Sequence, residues 1–161
     1  MKLKLEDWSN LSQIFAALVV VASLAYVALE IEQNTQAVQA ASYQALISNL
    51  TDVDLAVVTN PELDRIVSLG EKSPWELTPE EWSTFTRYSL ARTGQLELAY
   101  LSYIENALNE TQWAGVESFI LSVLCLPGYF RFWTENSTNI FAPAFVEYVT
   151  DNVIPNCPIS N

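Results

Sequence analysis

The stretch that decides how this chain is read is Leu11-Ser-Gln-Ile-Phe-Ala-Ala-Leu-Val-Val-Val-Ala-Ser-Leu-Ala-Tyr-Val-Ala-Leu-Glu-Ile31. It holds one charge, Glu30, near its end, and none from Ile14 to Leu29. A helix that crosses a hydrocarbon core needs about 20 mostly apolar residues, so the segment is just long enough. Asn10 followed by Gln13 reads as a capping start. Trp8 stands where an interfacial aromatic would stand. The expectation is one N-terminal transmembrane helix, residues 11–31, behind a short flank, residues 1–10. Two other readings stay open. A cleaved signal peptide has a shorter apolar core and a small-residue cleavage site before a polar chain, whereas here helical spacing runs on through Glu30, Gln33, Gln36 and Ala40 without a break. A buried core helix would have to be apolar all round inside a small domain.

Lys2 and Lys4 precede the segment, and the next basic residue is Arg65. The positive-inside rule counts lysines and arginines near a span, and here it favours a cytoplasmic N-terminus with the following domain exported. In a bacterium this means a single-pass inner-membrane protein with a periplasmic domain.

Beyond residue 31 the chain is helical in every window. Val38, Ala41, Ala45, Ile47, Leu50, Leu55 and Val58 recur at helical spacing. Asn60-Pro61 opens a short helix that Gly70 is expected to close, followed by a loop from Glu71 to Leu77. Thr78-Pro-Glu-Glu81 is a capping box, opening a helix that runs to about Leu108. On it Trp82, Phe85, Ser89, Arg92, Leu96, Ala99 and Tyr103 form one seven-residue stripe suited to antiparallel packing. Asn109 and Gln112 repeat the box, for a helix from Glu110 to Leu126 that stops at Pro127-Gly128. A last helix is expected from about Ala142 to Val153. No window alternates with period two. The fold class is therefore all-α: the transmembrane helix continues into an antiparallel helical bundle, an acidic domain over 32–153, with a tail over 154–161.

Composition narrows the function. Of 161 residues 50% are hydrophobic and 16% charged, and 19 acidic against 7 basic residues leave a net charge of −12. That opposes nucleic-acid binding, which needs basic patches, and docking of the domain on anionic headgroups. The chain has no histidine. Histidine is the commonest general base and metal ligand because its pKa lies near neutrality, so Ser-His-Asp and Cys-His catalysis and His-bearing metal sites are excluded. No catalytic, cofactor or metal residue is therefore assigned. The carboxylate candidates are Glu80-Glu81, Glu105 with Glu110, and Asp52 with Asp54. Glu81 already serves as a cap, and Asp-Val-Asp lacks the further ligands of a calcium loop. Arg87 and Arg92 interrupt an apolar helix, where an ion pair with Glu97 or another acid would hold register; the alternative is a binding site for an anionic ligand. Cys125 and Cys157, 32 residues apart, are not a CxxC site. They pair if the domain meets an oxidising compartment; otherwise Cys125 is a small buried residue and Cys157 an unrelated tail thiol.

Two stretches read as attachment surfaces. Ala16, Ala17, Ala22, Ser23 and Ala25 give the span small residues for close helix contact. Tyr129-Phe-Arg-Phe-Trp133 sets four aromatics around Arg131, the residue types enriched at protein and membrane interfaces; core packing explains the same residues.

The chain also resembles a known group. The anchor ends in Leu24-Ala-Tyr-Val-Ala-Leu-Glu-Ile-Glu-Gln-Asn-Thr35. Then follow Tyr43-Gln44, Asn60-Pro-Glu-Leu63, Leu77-Thr-Pro-Glu-Glu81, Glu97-Leu-Ala-Tyr100, Trp113-Ala-Gly115, Leu126-Pro-Gly128, Phe132-Trp133 and Phe141-Ala-Pro-Ala-Phe145. In that order, over about Trp8 to Val153, they resemble a widespread group of small bacterial proteins with one N-terminal transmembrane helix and an α-helical domain. The resemblance implies the anchor and the helical domain, and supplies no activity. It also implies Arg where this chain has Glu32 and Gln36, a pattern that suits a cytoplasmic domain and so opposes the lysine count.

The expected function is a membrane-anchored, non-enzymatic accessory or assembly subunit of a larger inner-membrane complex, its partners being membrane lipid and other integral subunits. The alternative is a tethered sensor that binds a ligand or lipid in a pocket lined by Trp82, Tyr100, Tyr103 and Trp113.

Overall fold

A computed structural model describes residues 5–158. Lys2 and Lys4, on which the orientation reading rests, and the last three residues of the tail lie outside the described residues. The described residues are helical throughout, with no strand among them. Six α-helices follow one another: α1 Leu5–Val58, α2 Pro61–Lys72, α3 Pro79–Ile104, α4 Glu110–Leu124, α5 Pro127–Ile140 and α6 Pro143–Tyr148. The chain divides into two compact units, one up to Val38 and one from Gln39 onward, and α1 belongs to both.

In the first unit every residue from Ser12 to Val38 is exposed. Asn10 lies inside α1 rather than at its start, so the Asn10–Gln13 pair is not a cap.

In the second unit the core is built on α3 to α6. Phe85, Leu96, Ile120, Leu124, Tyr129, Phe132, Phe145, Val149 and Val153 are fully buried. The seven-residue stripe of α3 faces inward as its spacing predicts: Phe85, Ser89, Arg92, Leu96 and Ala99 are buried, with Trp82 and Tyr103 packed at its margins. On α1 the inward face differs from the expected one. Leu46 and Val57 are buried, with Tyr43 and Leu50 packed against the core, while Val38, Ile47, Leu55 and Val58 are exposed. The segment is so rich in apolar residues that more than one stripe satisfies helical spacing, and only the neighbouring helices select one.

Local signals place several boundaries as read. The Asn60 side chain caps α2 with Pro61 in the first turn. Both capping boxes form, Thr78 with Glu81 and Asn109 with Gln112. Other boundaries move. α3 ends at Ile104, four residues early, because Asn106 adopts a left-handed φ of 61°. The Asn106 N–H then donates to the Tyr103 carbonyl at 2.9 Å and the Ala107 N–H to the Ser102 carbonyl at 2.8 Å, which closes the helix as a Schellman motif. Asparagine tolerates that conformation almost as glycine does. Gln39 Nε2 donates to the Asn106 carbonyl at 3.1 Å and ties α1 to this turn.

The largest correction concerns the glycines. Gly70 does not end α2; α4 does stop just ahead of Pro127-Gly128, at Leu124, but Pro127 opens a further helix. Gly70 is buried inside α2. Leu126 is extended (φ −69°, ψ 141°) ahead of Pro127, as residues before proline prefer, and Pro127 then opens α5 at 93° to α4. The two glycines meet. A Cβ on Gly128 would lie 2.0 Å from the Gly70 carbonyl oxygen, and one on Gly70 would lie 2.3 Å from the Phe85 ring. Both positions need a hydrogen because α2 and α5 approach backbone to backbone over Phe85.

The chain's end is also ordered into the domain. α6 passes into a π-turn, Val149–Val153, and a 3₁₀ turn, Ile154–Asn156. Cys157 is buried and disulfide-bonded to Cys125 at the end of α4. Ile154 to Cys157, read as part of a tail, therefore pack into the domain.

Two stability experiments follow. Gly128→Ala should lower the unfolding free energy by about 1–3 kcal/mol or more, the cost of overpacking. Gly115→Ala, where an added Cβ meets nothing within 4 Å, should raise it by about 0.5–1 kcal/mol; tryptophan fluorescence during urea unfolding reads both. Reducing the disulfide, which closes a 32-residue separation, should lower stability by about 4 kcal/mol on the chain-entropy account, seen as an earlier unfolding midpoint in dithiothreitol.

Candidate functional site

The residues singled out in the sequence fall in four places. The first is the apolar part of α1. Among the described residues it is the one single helix long and apolar enough to cross a membrane, and none of its most apolar window is buried. α4 and α5 pass that test only when counted together across their 93° bend, and their apolar side chains are the core. Ala16, Ala17, Ala22, Ser23 and Ala25 are all exposed. At 100° per residue they do not form one stripe: Ala16 and Ser23 share a face, Ala22 and Ala25 share another, and Ala17 stands apart. The Ser23 hydroxyl donates to the Val19 carbonyl at 2.8 Å, so its polarity is satisfied within the helix.

The second place is the stretch from Tyr129 to Trp133, at the start of α5. Its residues separate by face. Tyr129, Phe132 and Trp133 are buried: Tyr129 meets Phe85 edge-on at 5.6 Å, and Trp133 stacks on Phe141 at 5.4 Å. They present no surface to a partner. Phe130 remains exposed. Arg131 is engaged internally: its guanidinium lies 3.9 Å from the Trp82 ring centroid, Nε donates to Glu135 at 2.8 Å, and NH1 donates to the Pro74 carbonyl at 3.3 Å. It pins the α2–α3 connection to α5.

The third place is an aromatic cluster. Tyr103 stacks on Trp113 at 4.7 Å and Tyr100 on Tyr148 at 4.5 Å. The Tyr148 hydroxyl donates to Glu117 at 3.0 Å; burial and then this bond raise its pKa. The rings fill the space between one another, and Trp82 lies elsewhere, stacked on Phe85. These four residues do not line a common pocket.

The fourth place is the arginine of the α3 stripe, where the sequence left an ion pair and an anion-binding site both open. Arg92, buried on α3, pairs with Asp54 of α1 rather than with Glu97. The Glu97 carboxylate instead accepts the Ala142 N–H at the start of α6, and Arg87 is exposed. The Arg92 guanidinium lies 4.9 Å from the Phe119 ring centroid. Its Nε is buried without a protein partner, as are the hydroxyls of Ser89 and Thr93. The pair forms the polar end of a groove of about 340 Å³ whose walls are Ile47 and Leu50 of α1 and Val116 and Phe119 of α4. Glu71, at the end of α2, lies close enough to feel Arg92, Lys72 and Asp54; burial outweighs the two cations and raises its pKa. Tyr88 and Tyr129 complete this interior, both raised chiefly by burial. The sequence signal for this site was the isolated arginine on an apolar stripe. Its partner lay across the fold, 38 residues away.

The carboxylate pairs do not converge. Glu81 is held by Arg65 and by the Thr78 N–H, which bring it down to about 2. Glu80, Glu105, Glu110 and Asp52 are exposed. Among the described residues no three His, Cys, Asp or Glu are placed to hold a metal ion. Comparison of the chain with protein-family models, curated proteins and solved structures gives no match.

The raised Glu71 pKa carries a sign. The folded protein holds this proton more tightly than the unfolded chain, so the contribution to stability is fully present below pH 4.5 and falls as pH rises through the folded value. Glu71→Gln should therefore stabilise the protein at pH 7 and leave it unchanged near pH 3; urea unfolding at the two pH values checks this.

Proposed function

We propose that this chain is a membrane-anchored, non-enzymatic accessory or assembly subunit of a larger bacterial inner-membrane complex, with an antiparallel helical bundle as its exported domain. The observation that carries the reading is the bare apolar surface of α1. This is a helix with every side chain exposed from Ser12 to Val38 among the described residues and no charge from Ile14 to Leu29. In water that surface would cost about 25 cal/mol for each Å², so lipid or other spans must cover it. Lipid alone suffices for a tether. The two small-residue faces, Ala16 with Ser23 and Ala22 with Ala25, add close-approach positions for neighbouring helices. Resemblance to the small anchored bacterial proteins supports the anchor alone.

The Cys125–Cys157 bond supports export, because disulfides persist in the periplasm and are reduced in the cytosol. This agrees with the lysine count and opposes the cytoplasmic placement that the resemblance implies at Glu32 and Gln36. The non-enzymatic part of the proposal draws on the chain having no histidine and on the scattered, exposed carboxylates.

Native mass spectrometry of protein extracted gently from its own membranes tests the proposal. A complex of fixed stoichiometry with another integral membrane protein is expected. Replacing residues 11–31 by a leucine-rich span of equal length should keep the protein in the membrane and release the partner. A lone monomer under these conditions overturns the proposal.

A further inference from the structure

The groove beside Arg92 is independent of the anchor reading, and its chemistry is specific. Its walls are mainly apolar: Ile47, Leu50, Val116 and Phe119, with Tyr43, Thr51 and Gly115 also on the lining. Its polar end holds one guanidinium and one carboxylate. Arg92 presents five N–H donors in a planar fork that matches a carboxylate two bonds at a time. Asp54 engages it through NH1 alone, and the Nε–H is buried with no partner. That Nε–H is sealed from solvent and does not open on the groove; an entering ligand meets the guanidinium at the nitrogen that Asp54 occupies. The Asp54 side chain is 52% exposed against 10% for Arg92. It can turn out to water while the arginine stays.

We infer that this groove binds a single-chain aliphatic carboxylate, the carboxylate on Arg92 and the chain between Ile47, Leu50, Val116 and Phe119. The volume, about 340 Å³, stands near the low end of the roughly 300–1,000 Å³ of small-molecule sites. It suits one medium-length chain rather than a two-chain lipid. The entering carboxylate replaces Asp54 on the same guanidinium, so the local charge balance at Arg92 is unchanged while apolar surface is buried. This is how a chain of net charge −12 can take an anion. Asp54 is then an internal competitor that occupies the site when the ligand is absent.

The test is calorimetric titration of the full chain in phosphatidylcholine nanodiscs, with the heat of protein-free discs subtracted. The probes are octanoate, octan-1-ol and octyltrimethylammonium. Octanoate should bind with one site per chain, and the other two on the order of tenfold more weakly, the equivalent of about 1.4 kcal/mol. Asp54→Asn should tighten octanoate binding by removing the competitor. A merely structural ion pair predicts no such gain. Gly115→Leu, at a groove-lining position with open space around its Cα, should leave the fold intact and abolish binding. It decides the matter even if an Arg92→Gln variant does not fold. Octanoate and octanol binding alike would overturn the inference. So would octanoate affinity unmoved by Asp54→Asn, preference for the ammonium probe, or absence of octanoate binding.

Discussion

The helical unit from Gln39 onward rests on one close approach, that of α2 to α5 at Gly70 and Gly128. A side chain at either glycine would collide with the Gly70 carbonyl or with Phe85. With only hydrogens there, the Phe85 ring can occupy the seam, fully buried, stacked on Trp82 at 5.4 Å and met edge-on by Tyr129 at 5.6 Å. α2, α3 and α5 are thus fixed by a single aromatic anchor. The sharp turn at Pro127 is a consequence of the same contact: α5 must leave α4 at 93° to bring Gly128 to Gly70. Interiors packed to this density deform little, so the position of Tyr129, and of the polar groups behind it, follows from the seam.

Those polar groups make the second feature of the domain. Arg92 on the inward stripe of α3 is a charge taken out of water, and a buried ion pair seldom repays its desolvation. Here the compensation is partial. Asp54 bonds one nitrogen and the Phe119 face lies beneath the guanidinium, but Nε and the neighbouring Ser89 and Thr93 hydroxyls are buried without protein partners. Glu71 stands nearby with its pKa raised by burial. A core selected for stability alone would hold a leucine at this position.

The opposite economy governs the chain's end. α6 is short, and the π-turn and 3₁₀ turn after it are irregular, yet Val149 and Val153 are fully buried. The bond from Cys157 to Cys125 holds that irregular segment against α4. Without it the last turns would depend on two valines and a stack of rings.

By itself the sequence determined whatever depends on neighbours along the chain. It determined the apolar helix, because the absence of charge from Ile14 to Leu29 needs no partner to be read. It determined the starts of α2, α3 and α4, because Asn60, Thr78 with Glu81, and Asn109 with Gln112 act within four residues. It determined the inward stripe of α3, because one face alone was apolar enough. Tertiary structure decided everything that two distant segments settle together. Gly70 and Gly128 read as breakers until each is seen to be the other's clearance. The face of α1 that turns inward was one of several. Tyr129, Phe132 and Trp133 read equally as core or as surface until the fold is seen to bury them. Arg92 was legible as an anomaly, but its exchange of Glu97 for Asp54, and the groove between them, came only from bringing α1, α3 and α4 together. Local signals act through bonds and helical turns; burial is a property of pairs of surfaces, and a chain does not carry the identity of the second surface next to the first.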